Sequence, residues 1–199
     1  MARLLEQYKL KILPELKAEL KLANDMAVPR LEKVIVNVGI GRILQQQPKS
    51  LDTIIETIAR IVGQKPVSRQ AKKSISAFKI REGQIVGLSV TLRGKRMYEF
   101  IDKLVNAALP RTRDFRGISR KGLDGKGNYS LGLREHIVFP EISGEDASMS
   151  FGVEVTIVTT ARTDEAAYLL LKKLGFPFSA EGGSLPRRQA GASGGKSSK

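Results

Sequence analysis

The sequence predicts an α+β fold: a mostly antiparallel sheet with helices packed on one face, a variant of the RRM- or ferredoxin-like architecture, carrying a long basic glycine-rich loop. Three observations predict it. Residues 31–39 and 85–93 alternate apolar and polar side chains with the period of a strand. Residues 51–62 and 96–109 carry apolar side chains at helical spacing. The elements run helix, strand, helix, basic segment, strand, helix, basic loop, strand, strand, helix, an order that leaves one sheet face open to a ligand.

Each element rests on its own pattern. Leu4, Leu5, Tyr8, Ile12, Leu16 and Leu20 place an amphipathic helix over 3–22, which Pro14 should kink or split. In 31–39, Val34, Val36 and Val38 face one way and Ile35, Asn37 and Gly39 the other. Ser50 is placed to cap a helix with the stripe Leu51, Ile54, Ile55, Ile58, Ile61 and Val62, which Gly63 ends. Residues 64–82 are basic and weakly periodic, which suits a short strand and a loop. The strand at 85–93 turns Val86, Leu88, Val90 and Leu92 inward and leaves Gly87, Ser89, Thr91 and Arg93 outward. Met97, Phe100, Ile101, Leu104, Val105, Ala108 and Leu109 make one helical face that Pro110 stops. Residues 111–127 mix glycines and cations without apolar periodicity and read as a long mobile loop that adds little to the core. Strands follow at 129–138 and 151–160, joined by an acidic loop at 141–146. Thr163 caps a last helix with the stripe Ala167, Leu170, Leu171 and Leu174, closed by Gly175. Residues 1–180 are read as a single α+β domain, and 181–199 as a flexible basic tail rich in Gly and Ser.

The chain has 199 residues with 34 Lys+Arg against 20 Asp+Glu, a net charge of +14. Residues 65–126 hold 16 of the basic and 5 of the acidic residues, a net +11, so most of the excess sits in the central third. Neutralising phosphates requires such a concentration of charge, and a polyanion is the expected partner. With no Cys and one His, disulfide frameworks, Cys-based zinc sites and thiol nucleophiles are excluded, a reducing cytoplasmic setting is expected, and no cofactor or metal is called for. No stretch approaches the roughly 18 apolar residues of a membrane span.

Enzymatic motifs are weak. Gly39 and Gly41 follow a strand as in a dinucleotide-binding turn, but Leu44 stands at the third glycine position and the segment does not read as opening a helix. His136 has no Cys or second His to join it and reads as structural, within a strand. Gly122 and Gly125 have the spacing of a KH-domain turn without its flanking helices. Binding features are stronger. Arg69, Lys72, Lys73, Lys79 and Arg81 put five cations in thirteen residues, interleaved with Ser74, Ser76 and Phe78, beside a sheet face carrying Asn37, Gly39, Gly87, Ser89, Thr91 and Arg93. This pattern reaches a basic, nucleic-acid-binding α+β domain; an RNA-modifying enzyme or an unrelated RNA chaperone using the same surface is the alternative, and an enzyme would need an acid, base or metal cluster that the sequence lacks.

Specific strings carry more. VPRLEKVIVNVGIG at 28–41, GQKPVSRQAKKSISAFKIREG at 63–83, VTLRGKRMYEFIDKLV at 90–105, PRTRDFRGIS at 110–119 and DGKGNYSLGLREHIVFPEI at 124–142 closely resemble, in this order, the bacterial ribosomal protein L-five family. The resemblance spans roughly residues 1–180. It implies a structural protein of the ribosome, cytoplasmic and not an enzyme. The implied role is binding 5S rRNA at the central protuberance of the large subunit. Its other implied partners are 23S rRNA, P-site tRNA, and neighbouring proteins of the protuberance and the small-subunit head. Carried over, the rRNA surface comprises Asn37, Gln64, Arg69, Lys72, Lys73, Ser74, Lys79, Arg81, Ser89, Thr91 and Arg93. The extended loop toward tRNA and the small-subunit head comprises Arg111, Arg113, Arg116, Arg120, Lys121 and Lys126. Family members usually end near the FPF at 176–178, so the resemblance implies nothing for the tail.

Overall fold

The computed structural model of the chain describes residues 3–142 and 150–179. Strands β1 (Leu31–Gly39), β2 (Val67–Gln70), β3 (Ile85–Leu92), β4 (Tyr129–Leu133) and β5 (Val153–Thr159) form one sheet in the order β2-β3-β1-β5-β4. Every neighbouring pair is antiparallel. The predicted α+β class and the outer ends of β1 hold. Val34, Val36 and Val38 of β1, Leu88, Val90 and Leu92 of β3, and Val153, Val155 and Ile157 of β5 are all buried, so one sheet face is continuously apolar. Each such side chain contributes about 1.5–3 kcal/mol by leaving water.

The helices close over that face. They are α1 (Arg3–Gln7), α2 (Leu13–Glu19), α3 (Gly41–Gln46), α4 (Leu51–Val62), α5 (Gly94–Lys103) and α6 (Asp164–Lys173). Ile54, Ile58 and Ile61 of α4, Met97, Phe100 and Ile101 of α5, and Ala167, Leu170 and Leu171 of α6 join the sheet residues in one core. Gly63 ends α4 at φ 73°, a conformation that suits a residue without Cβ. Thr163 caps α6 as predicted, its hydroxyl accepting from the Ala166 N–H at 3.4 Å.

The split at Pro14 is as expected, and several other expectations are corrected. Pro14 splits the N-terminal helix through a π-helical turn, Tyr8–Ile12, in which the Leu13 N–H donates to the Tyr8 carbonyl; proline then sits in the first turn of α2, where no amide is needed. Residues after Gly41 do form a helix, α3, six residues long. Ser50 holds the cap position of α4, but its hydroxyl donates to the Gln47 carbonyl at 2.7 Å and a 3₁₀ turn, Pro48–Ser50, opens the helix instead. Helical structure continues past α5 through a π turn, Leu104–Ala108, and a 3₁₀ turn, Leu109–Arg111, that contains Pro110. The strand expected over 129–138 ends at Leu133 and the one over 151–160 begins at Val153. Between them His136 opens a 3₁₀ turn, fully buried, its ring stacked on Phe151 with centroids 3.9 Å apart. That aromatic stack, with the His136 N–H donating to the Phe151 carbonyl, replaces the strand pairing.

The loop of 111–127 is present but does contribute to the core. Ile118 and Leu123 are buried, a 3₁₀ turn runs over Arg120–Gly122, and the Asp164 carboxylate accepts from the amides of Gly125 and Gly127 at 3.1 and 3.0 Å. Isolated apolar residues between cations have no periodicity to reveal them. Part of the predicted acidic loop, residues 143–146, and the predicted tail, 181–199, lie outside the described residues. Among the described residues, no helix is long and apolar enough to cross a membrane.

Candidate nucleic-acid interface

The face of the sheet away from the helices is polar because alternation leaves it so. Antiparallel register aligns its residues in rows across the strands. Gly132, Glu154, Asn37, Ser89 and Val67 make one row, and Ser130, Thr156, Ile35 and Thr91 the next. Gly39, Gly87 and Arg69 make a third. Asn37, Thr91, Ser130 and Glu154 are exposed, and Ser89 is nearly buried at 8%. The Asn37 amide donates to the Glu154 carboxylate at 3.4 Å, and the Ser130 and Thr156 hydroxyls are 3.1 Å apart. Small hydroxyl and amide groups of this kind let an RNA strand approach the sheet closely and offer both donors and acceptors.

At the β2 edge the chain leaves the sheet as an extended basic arm. Ala71 pairs its backbone with Gln84 and Gly83, and Ile75 exchanges both bonds with Ile80, so residues 70–84 double back on themselves. Lys79 turns the tip at φ 52°, and the Gln45 side chain of α3 donates to the Phe78 carbonyl at 2.7 Å, bracing the arm against the body. Arg69, Lys72, Lys73, Lys79 and Arg81 are all exposed and form no ion pair among the described residues. Val67, Ile75 and Phe78 are exposed among them, at 59, 45 and 66%. Ser74 is committed within the arm, its hydroxyl accepting from the Glu82 amide at 2.9 Å. Gln64 is half-buried between α4 and β2, and Arg93 is exposed just past β3.

The second set of cations lies against the opposite edge. Residues 112–128 run beside β4, and Arg111, Arg113, Arg116, Lys121 and Lys126 are exposed. A cleft of about 660 Å³ opens between residues 111–114 and 132–138, lined by Arg111, Arg113, Arg134 and the apolar Leu133 and Ile137. Arg120 differs from its neighbours: its guanidinium lies over the Tyr168 ring, 4.1 Å from the centroid, and donates to the Tyr168 hydroxyl at 2.6 Å. Tyr168 and Tyr129 both pack on Phe178, and burial pushes the Tyr129 phenol up to about 12 while its hydroxyl donates to the Ser119 carbonyl at 2.8 Å. The sequence-derived residues therefore fall into two groups at opposite edges of one sheet, with Asn37, Ser89 and Thr91 between them. Glu154, Thr156 and Ser130 share that central face, and sequence reading passed over them. The signal for Glu154 and Thr156 was present: with Phe151, Val153, Val155 and Ile157 inward, the intervening residues must face outward.

A five-stranded antiparallel sheet with one face packed and the other polar and flanked by clustered exposed cations defines an α+β protein whose open face has the charge and chemistry that suit a polyanion. Residues 24–81 match the family described as Ribosomal protein L5, and residues 85–178 match the ribosomal L5P family C-terminus. Proteins named "Large ribosomal subunit protein uL5" are similar along almost their whole length. The one from Halothermothrix orenii is 57% identical over 178 residues, covering 89% of this chain and 99% of its own. Its counterpart in Natranaerobius thermophilus is 55% identical over 179 residues, 90% of this chain and 99% of the relative. That of Roseiflexus castenholzii is 53% identical over 176 residues, 88% and 97%. The chain belongs to the ribosomal L5 family. It is a ribosomal protein and not an enzyme.

Proposed function

We propose that this chain is a structural constituent of the large ribosomal subunit, in the cytoplasm, that binds 5S rRNA at the central protuberance through the open sheet face and the basic arm. The observation that carries this reading is the joining in one sheet of Asn37, Ser89 and Thr91 with five exposed cations, Arg69 on β2 and four on the arm that leaves it. Phosphate contacts from Arg69, Lys72, Lys73, Lys79 and Arg81 position the RNA, and the smaller groups of the face select its register. Neighbouring 23S rRNA and protuberance proteins complete the partners. The second cationic group, Arg111, Arg113, Arg116, Lys121 and Lys126, lies at the far edge and serves a different partner, P-site tRNA and the small-subunit head. Arg120 serves that loop by holding it to α6 through Tyr168. The test is to purify the chain from its own cells after mild crosslinking and sequence the RNA it retains. Enrichment of 5S rRNA supports the reading, and recovery of bulk RNA without 5S enrichment overturns it.

A further inference from the structure

Glu154 is an exposed carboxylate in the middle of a face that the preceding reading turns toward RNA. It stands directly opposite Asn37 in the β1–β5 register and accepts from the Asn37 amide nitrogen. Its other strand neighbour is Gly132, where nothing lies within 4 Å of the space a Cβ would take, so the carboxylate is open to approach from that side. Among the described residues Glu154 forms no ion pair that would neutralise it. A lone carboxylate repels phosphate, and beside so many cations this is a local reversal of sign. It favours RNA only where the RNA presents hydrogen-bond donors, as the N1–H and N2–H of a guanine edge or a ribose 2′-hydroxyl do.

We propose that Glu154 is a specificity residue of the RNA face: its carboxylate takes a hydrogen-bond donor from the RNA, turns the Asn37 carbonyl oxygen outward as a second acceptor, and rejects phosphate at that spot. The proposal rests on the 5S rRNA reading and adds to it the chemistry of one position. An RNA in the correct register gains a charge-assisted hydrogen bond; one lying out of register places phosphate against a carboxylate and is repelled.

This account predicts an effect opposite to that of simple charge. If the carboxylate only opposes a polyanion, Glu154→Gln should tighten all RNA binding. Here Glu154→Gln weakens 5S rRNA binding about tenfold by loss of the charge-assisted bond, while binding to an unrelated RNA of equal length stays the same or tightens. Glu154→Lys gives the same loss of selectivity with a larger gain for the unrelated RNA, and Glu154→Asp restores part of the selectivity. A second measurement uses the wild-type full-length chain and 5S rRNA carrying sparse phosphorothioate-tagged inosine or 2′-deoxynucleotides. Interference by inosine at one guanosine identifies a base-edge donor, interference by a 2′-deoxynucleotide identifies a ribose donor, and either signal must vanish with Glu154→Gln. Equal or tighter 5S binding by Glu154→Gln, or interference unchanged in that variant, overturns the proposal. Failure of the wild type to prefer 5S rRNA over the unrelated RNA overturns the parent reading, and this proposal with it.

Discussion

The backbones of Ile118 and Phe178 run side by side in parallel, the Ile118 amide donating to the Pro177 carbonyl at 2.8 Å and the Ser179 amide donating to the Ile118 carbonyl at 3.0 Å. Residues that follow the last helix thus fasten the middle of the basic loop to the body, and the aromatic contacts of Phe178 with Tyr129 and Tyr168 add to the clasp. Replacing Phe178 by Ala should cost about 1–3 kcal/mol, less than a fully buried Phe because the side chain is only half-buried. Hydrogen exchange should quicken at Ile118 and Leu123, with 5S rRNA affinity unchanged. Uniform slowing or no change in exchange there would show that the clasp is not what orders the loop.

Glycine is required in that loop by close approach. A Cβ at Gly122 would lie 2.4 Å from the Ser130 carbonyl oxygen, and one at Gly127, at φ 84°, would lie 2.5 Å from that of Ala161. Gly122→Ala and Gly127→Ala should each destabilise by roughly 2–4 kcal/mol, whereas Gly132→Ala, with open space around it, should be nearly neutral. Thermal melts of the three variants check the order.

Neutralising Arg111, Arg113 and Arg116 together should leave the melting temperature within a few degrees of wild type, since all three are exposed. Affinity for 5S rRNA should persist, and retention of P-site tRNA or subunit joining should weaken. Loss of 5S binding in a filter titration would merge the two cationic groups into one site. Deleting the whole loop is a poorer test, because it removes the buried Ile118 and Leu123 and with them part of the core.

Burial raises the phenols of both Tyr8 and Tyr129 to about 12, from an ordinary value near 10. The neutral form is favoured in the native state, so the stability these groups supply is complete below pH ~10 and is lost as pH rises toward ~12. Urea melts across that interval should show falling stability, with a shallower fall in Tyr129→Phe, which removes one of the two groups at the cost of its bond to the Ser119 carbonyl. An identical fall in that variant would remove Tyr129 from the account.

Where the period of the pattern was long and clean, sequence reading and structure coincide: β1 over Leu31–Gly39 and α4 over Leu51–Val62 have the same bounds in both. Elements too short to display a period were missed, such as the six-residue α3, as were structures held by single contacts, such as the His136–Phe151 stack and the Asp164 grip on Gly125 and Gly127. Of the interface, Asn37, Ser89 and Thr91 were identifiable from alternation. The alignment of Asn37 and Ser89 with Glu154, and of Thr91 with Thr156, was not, because it depends on β5 pairing with β1 across more than a hundred residues of chain.

The side chains of the central face should be felt by RNA and not by the fold. Asn37→Ala and Thr91→Ala are each expected to weaken 5S rRNA binding by about 1–2 kcal/mol with little change in melting temperature, both side chains being exposed on the open face. Wild-type affinity in both variants would mean that this face is merely solvated.

The most direct measurement is the affinity of the full chain for 5S rRNA as a function of salt, in competition with an unrelated structured RNA of equal length. Neutralisation of about 5–8 phosphates by the arm and its surroundings predicts a fall of about two to four orders of magnitude between 50 and 200 mM salt, with preference for 5S rRNA maintained throughout. An affinity indifferent to salt, or equal binding to the competitor at every salt concentration, would contradict the assignment of the open face and basic arm to 5S rRNA.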